Sequence, residues 1–131
     1  MSRNQLGDLQ HAIMQVLWAQ GEATAADVHR ALLDERGLAP TTIATMLTKM
    51  ELKGVVSHRT DGRKYVYRPT VSEAAVRRSM LGDLTDRLFD GSVAAVVTHL
   101  LEEREIDARE LDELRRLIAE AQEAQETQEA Q

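Results

Sequence analysis

The chain has 131 residues, enough for one domain or for one domain with a short accessory segment. Hydrophobic residues are 43% of it and aromatic residues only 3%, and this Ala-, Leu- and Val-rich composition favours helices over an all-β sandwich. The absence of cysteine excludes disulfides, thiolate metal sites and thiol catalysis. No apolar run approaches the ~20 residues that span a bilayer, and no signal-peptide pattern is present, so we expect a cytoplasmic protein without membrane insertion.

The first two predicted helices lie between residues 6 and 37. Apolar residues recur at helical spacing from about Leu6 to Ala19, and Gly21 is suited to end that helix. Thr24 precedes the second helix, where its hydroxyl can cap the first turn, and Gly37 closes the segment.

The third predicted helix, Pro40–Gly54, has two unlike faces. Its core face is predicted from the spacing of Ile43, Leu47 and Met50. The opposite face is rich in threonine, a mediocre helix former, so stability alone does not explain it. In a recognition helix, short polar side chains near the start read base edges and later cations contact phosphates, whereas the alternative is an ordinary solvated face. The residues that we assign to DNA on this helix are Thr41, Thr42, Ala44, Thr45, Thr48, Lys49 and Lys53.

Two short strands, Val55–Arg59 and Lys64–Arg68, are predicted next, joined by a turn that contains Asp61-Gly62. Three helices followed by a hairpin is the plan of a winged helix-turn-helix domain, which we place at residues 1–70. Cations on the hairpin can reach phosphates or the minor groove, although exposed edge strands also carry cations as protection against aggregation. The hairpin cations that we assign to DNA are Arg59, Arg63 and Lys64.

The charge distribution supports an anionic partner for this region, although the net charge of the chain is −6. Residues 1–70 hold nine Lys and Arg against seven Asp and Glu, and residues 71–131 hold seven against fifteen. Between residues 41 and 68, six cations stand against two anions. Binding to an anionic partner depends on this local field rather than on the total charge.

Residues 71–120 are predicted to form further helices, with Ser72 and Asp107 as caps and a break at Asp90–Ser92. Their apolar stripes have little other chain to cover them, so we expect a helical dimerisation subdomain, the alternative being the core of a second subdomain. Residues 121–131 are a low-complexity Ala/Gln/Glu tail that either prolongs the last helix or frays. The expected interface residues are Val76, Met80, Leu84, Leu88, Val93, Val96, Val97 and Leu100.

Enzymatic functions are disfavoured. The four histidines are scattered, and the sequence contains no H-E-x-x-H pair, phosphate loop or nucleophile elbow. We therefore expect no catalytic, cofactor or metal site. The leading hypothesis is a DNA-binding protein, and the rival is a helical adaptor that uses the basic segment for a non-DNA partner.

Several segments occur in the order found in one known family: LGDLQHAIMQVLW, TAADVHRAL, TTIATMLTKMELKG, GRKYVYRP, LFDGS and ELDELRRLI. Through them the chain resembles the penicillinase-repressor family (BlaI/MecI/CopY) over about Leu6 to Glu120. The resemblance implies a homodimeric winged-helix repressor of inverted-repeat operators with TACA/TGTA half-sites. It also implies control of β-lactam resistance genes or of other operons, often beside a membrane sensor-protease.

The family pattern also suggests how repression ends. A partner protease cuts family members in the helix after the Gly-Ser break, and the matching peptide here joins His99 and Leu100. The alternative is that these are only interface residues and that a ligand or simple dissociation relieves repression. Two departures stand out: the cysteine cluster of the copper-responsive branch is absent, which excludes thiolate copper or zinc sensing, and Leu52 occupies a position that is usually polar.

Overall fold

The computed structural model describes residues 5–103 and 106–130. They separate into two compact units, one ending at Leu84 and the other beginning at Thr85, so the division falls inside a helix and not at residue 70. The elements are α1 (Asp8–Gln20), β1 (Ala23–Thr24), α2 (Ala25–Arg36), α3 (Pro40–Lys53), β2 (Val56–Asp61), β3 (Lys64–Pro69), α4 (Glu73–Phe89), α5 (Val93–Glu102) and α6 (Ala108–Glu129).

Local side-chain chemistry sets the ends of these helices. Thr24 Oγ1 accepts a hydrogen bond from the Asp27 amide, and Asp27 Oδ2 accepts one from the Thr24 amide, both at 3.1 Å. The hydrogen bond from Thr24 is the main reason that the pKa of Asp27 is lowered. Ser72 and Asp107 cap α4 and α6 by accepting amide hydrogen bonds at 3.0 and 2.9 Å, as the sequence predicts.

The three strands form an antiparallel sheet in the order β1-β3-β2. Strand β1 pairs Ala23 with Tyr67, and it was not predicted because two residues are too short to show an alternating pattern. In the hairpin Asp61 pairs with Lys64, so the turn is centred on Gly62-Arg63 rather than on Asp61-Gly62. Gly62 supplies the positive φ of 64° that this turn requires. Helices α1 to α3 and this sheet form the predicted winged helix-turn-helix.

The first unit has a closed apolar core. Its fully buried side chains come from α1, α2, α3, β2 with the residue before it, and the start of α4: Ile13, Met14, Leu17, Val28, Ile43, Leu47, Met50, Val55, Val56 and Val76. Trp18 Nε1 donates a hydrogen bond to the Val71 carbonyl at 2.9 Å and so holds the segment after β3 against α1. The buried side chains of α3 fix the rotation of this helix about its axis and therefore determine which face it exposes to solvent.

The structure corrects the expected dimer interface at its first two residues. Val76 is only 2% exposed and belongs to the core of the first unit, and Met80 packs against that core. A side chain already covered by its own chain has little area left for a second copy. We therefore assign Val76 to the core of the first unit.

The second unit has no comparable interior. Helices α5 and α6 contain no buried residue, and Leu88 and Val93 are 70% and 69% exposed. Phe89 contacts His99 edge to face, with ring centroids 5.8 Å apart. Helix α6 runs on to Glu129, so most of the low-complexity tail prolongs it. None of the described helices combines the length and apolarity needed to cross a membrane.

Candidate nucleic-acid interface

The outward face of α3 is the centre of the candidate interface. Because Ile43, Leu47 and Met50 are completely buried, the side of the helix opposite to them faces solvent. The predicted DNA residues on that side are all exposed: Thr41, Thr42, Ala44, Thr45, Thr48 and Lys49. A shallow depression of about 260 Å³ runs along the start of this face, lined by Thr41, Thr42, Thr45, Met46 and Lys49.

The threonines of this face differ in the hydrogen bonds that they still have to offer. Thr48 Oγ1 donates to the Ala44 carbonyl at 3.1 Å and also interacts with the Tyr67 phenol, so its hydroxyl is already engaged within the chain. Thr41, Thr42 and Thr45 make no side-chain hydrogen bond within the described part of the chain. The freely available hydroxyls therefore lie at the N-terminal half of α3.

Three of the predicted cations are available to a partner. Lys49, Arg63 and Lys64 are exposed and form no ion pair or hydrogen bond with any described residue. Arg63 and Lys64 stand at the tip of the β2–β3 hairpin, which we call the wing, and Lys49 lies on α3. These side chains can contact phosphates without first breaking an internal bond.

The other two predicted cations already have partners. Lys53 Nζ donates to the Gln5 carbonyl and, at 3.2 Å, to Gln10 Oε1, so Lys53 would have to leave these partners to contact DNA. Arg59 pairs with Glu22 at 2.8 Å, and this hydrogen bond is the main reason that the pKa of the Glu22 carboxyl is lowered. The charge of Arg59 is therefore already neutralised by Glu22. Neighbouring side chains of a strand point to opposite faces, so Arg59 points away from α3 because His58 faces it.

A groove of about 400 Å³ lies between the start of α2, α3 and the wing. Alanines from the two helices form one wall, and Arg63, Lys64 and two tyrosines form the other. Tyr67 is buried and Tyr65 is half exposed. Sequence reasoning assigned no role to these tyrosines, although their spacing of two residues in a predicted strand places them on one face of the sheet.

The sequence analysis also missed a polar contact between α3 and the wing. His58 Nδ1 lies 2.7 and 2.8 Å from the two carboxylate oxygens of Glu51, and the His58 ring stacks on Tyr65 with centroids 4.1 Å apart. Leu52, beside Glu51, is 86% exposed, so it does not pack against the wing. No group of three or more possible metal-ligating side chains occurs among the described residues.

Comparison with known proteins agrees with this arrangement. The family described as "Penicillinase repressor" matches residues 6–120. The chain belongs to this family. Penicillinase repressors are transcriptional regulators and not enzymes, as the sequence predicts.

Named relatives cover most of the chain. The penicillinase repressor of Bacillus licheniformis is 27% identical over 116 residues, which are 88% of this chain and 91% of the relative. Transcriptional regulator BlaI of Mycobacterium tuberculosis is 36% identical over 117 residues, 88% of this chain and 83% of BlaI. The solution structure of the DNA-binding domain of the repressor BlaI is 31% identical, with a TM-score of 0.50, and the match covers 54% of this chain and 87% of that domain.

Proposed function

We propose that this penicillinase-repressor family member is a homodimer that represses transcription by binding an inverted-repeat operator in double-stranded DNA. The observation that carries the proposal is the exposed threonine face of α3, flanked by Lys49, Arg63 and Lys64 without internal partners among the described residues. A protein that binds a polyanion needs uncompensated cations beside the groups that read the bases.

The N-terminal half of α3 reads bases in the major groove. Thr41, Thr42 and Thr45 offer free hydroxyls, which can donate to or accept from base edges. Their methyl groups and that of Ala44 can contact the methyl group of thymine. Lys49, Arg63 and Lys64 contact phosphates and fix the register of the helix on the duplex.

The second unit joins two copies of the chain. In this unit the side chains of Leu88, Val93, Val97, Leu100 and Ile118 are exposed in a single chain, and Val96 is half-buried. Leu84, the last residue of the first unit, is exposed as well. A two-fold interface would cover this apolar face and would present two α3 helices to the two half-sites of a palindrome. The acidic surface of residues 71–131 would lie away from the duplex because DNA repels it.

Relief of repression follows from the same arrangement. His99 and Leu100 are exposed in α5 in the single chain, and a cut between them would divide the helix that we place in the interface. The DNA-binding units of the two protomers would then no longer be joined, and each would bind a single half-site. Since a protease requires an extended strand, cleavage would track local opening of α5. Mass spectrometry of the protein from induced cells tests this, because an intact chain throughout induction rules out cleavage as the switch.

Duplex binding by fluorescence anisotropy tests the proposal as a whole. The probes are a labelled duplex of about 30 base pairs with inverted TACA/TGTA half-sites and a scrambled duplex of equal length. Thr45→Ala should reduce discrimination between the two by ~1–3 kcal/mol and leave the salt dependence unchanged. The matched variant Lys49→Ala should weaken binding to both duplexes and lower the log–log salt slope by about one for each phosphate that is no longer neutralised. Binding to neither duplex would contradict the proposal and favour an adaptor.

A further inference from the structure

His58 connects the recognition helix to the wing. Glu51 lies in the last turn of α3, and both of its carboxylate oxygens are within 2.8 Å of His58 Nδ1 on β2. The side chains of His58 and Glu51 are 29% and 34% exposed, so water only partly screens this contact. The contact is therefore in a position to fix the distance between the two elements.

The same ring continues the connection toward the tip of the wing. His58 stacks on Tyr65 with an angle of 24° between the rings, and it lies 5.6 Å from the ring of Tyr67. Tyr65 follows Lys64 in β3 and lines the groove together with Lys64 and Arg63. An unbroken series of contacts thus leads from the last turn of α3 to the free cations of the wing.

We propose that His58 is a positioning residue for DNA binding, which holds the wing so that Arg63 and Lys64 contact phosphates while α3 occupies the major groove. The inference rests on the proposed operator binding and adds a residue that touches no base. Strand β1 pairs only with Val66 and Tyr67, so the hairpin is two-stranded beyond them. A two-stranded ribbon is only marginally stable by itself, so the direction of its tip depends on such side contacts.

The groups around His58 define its hydrogen-bond partner. The titratable groups that face His58 are Glu51 from α3 and Tyr65 and Tyr67 from β3. Burial, and then the charge of Glu51, raise the pKa of Tyr67, so its phenol is neutral near pH 7. Because a carboxylate can only accept hydrogen bonds, Nδ1 of His58 is the donor in its contact with Glu51.

A mutant cycle on the full-length protein tests the inference with the two duplexes described above. His58→Ala should weaken operator binding about two- to fivefold in the wild-type background. In the Arg63→Ala/Lys64→Ala variant, His58→Ala should not weaken operator binding further, because the cations that His58 positions are already absent. Thr60→Ala, on the same strand and without a side-chain hydrogen bond among the described residues, is the matched control and should bind like the wild type.

Two further variants separate positioning from direct contact with DNA. His58→Gln keeps a hydrogen-bond donor toward Glu51 and should bind the operator like the wild type, which also gives a readout if His58→Ala folds poorly. The effect of His58→Ala should disappear in Glu51→Ala, because both substitutions remove the same contact.

Three outcomes would overturn the inference. The first is equal binding by the wild type and His58→Ala. The second is an undiminished effect of His58→Ala in the variant that lacks Arg63 and Lys64. The third is an undiminished effect of His58→Ala in Glu51→Ala, as a direct contact between His58 and phosphate would produce. Operator binding by the wild type in these experiments leaves the proposed function standing, whereas wild-type protein that binds no duplex removes both proposals.

Discussion

The two units of the chain differ in how much of their apolar surface they bury themselves. In the first unit, α1, α2, α3 and the sheet enclose a set of completely buried side chains. In the second, α5 and α6 bury none, and large side chains such as Leu88, Val93 and Ile118 are more than half exposed. Isolated apolar residues on a surface are common, but a series of them along two amphipathic helices marks an interaction surface. The comparison shows that the first unit encloses its own core, whereas the second leaves an apolar face exposed, which the proposed dimer would cover.

The largest expected effect comes from a charge in the second unit. Leu88→Glu would place a carboxylate without a partner in the proposed interface, at a cost of several kcal/mol. We expect a monomer in sedimentation experiments and about a hundredfold weaker operator binding, because the two half-sites are no longer bound by one linked molecule.

Gln122→Glu is the matched control, since it adds the same charge to α6 outside the apolar positions. It should leave both the dimer and operator binding unchanged. A dimeric Leu88→Glu with normal operator affinity would show that this face is not the interface.

In the first unit, Leu47→Ala tests whether the core is self-contained. Leu47 is completely buried, so its truncation should reduce the free energy of unfolding by ~2–5 kcal/mol. Leu33→Ala, at a half-exposed position of α2, should cost much less. Urea denaturation followed at several protein concentrations is the measurement. If the comparison holds, the unfolding of the first unit is independent of concentration, whereas that of the second unit is not.

Removal of the two free wing cations should affect DNA binding and not stability. Arg63→Ala/Lys64→Ala should weaken binding to operator and scrambled duplexes alike and reduce the log–log salt slope by about two per protomer. Arg78→Ala removes an exposed cation from α4 and should change neither quantity. An unchanged slope in the double variant would mean that the wing does not contact DNA.

The smallest expected effect on DNA binding concerns Arg59, the wing cation that pairs with Glu22. Glu22→Gln removes the charge that neutralises Arg59 and should improve duplex binding about two- to threefold, with a steeper salt dependence. Asp34→Asn removes an equal charge from α2 and serves as the control. Equal gains in both variants would indicate a general charge effect and no competition between Glu22 and DNA.

Local patterns in the sequence predicted most of the first unit. The spacing of Ile43, Leu47 and Met50 indicated the buried face of α3, and through it the exposed threonines. The cap at Thr24 and the hairpin before Pro69 also follow from neighbouring residues. Such features depend on contacts within a few positions of the chain, which a single sequence records directly.

Long-range contacts account for the differences between prediction and structure. Lys53 and Arg59 form hydrogen bonds with Gln5 and Glu22, which lie 48 and 37 positions away in the sequence. Val76 belongs to an apolar stripe of α4 that the sequence predicts to be continuous. The first turn of α4 nevertheless packs on the core of the winged domain. Periodicity shows that a face is apolar but not which surface covers it.

The stoichiometry of the operator complex tests the central claim most directly. Native mass spectrometry or sedimentation of the wild-type chain at micromolar concentration, alone and with the inverted-repeat duplex, counts the protomers in each species. We predict a dimer in free solution and two protomers on each duplex. A monomer that binds the duplex as a single copy, with α5 and α6 still uncovered, would contradict the division of the chain into a DNA-reading unit and a joining unit.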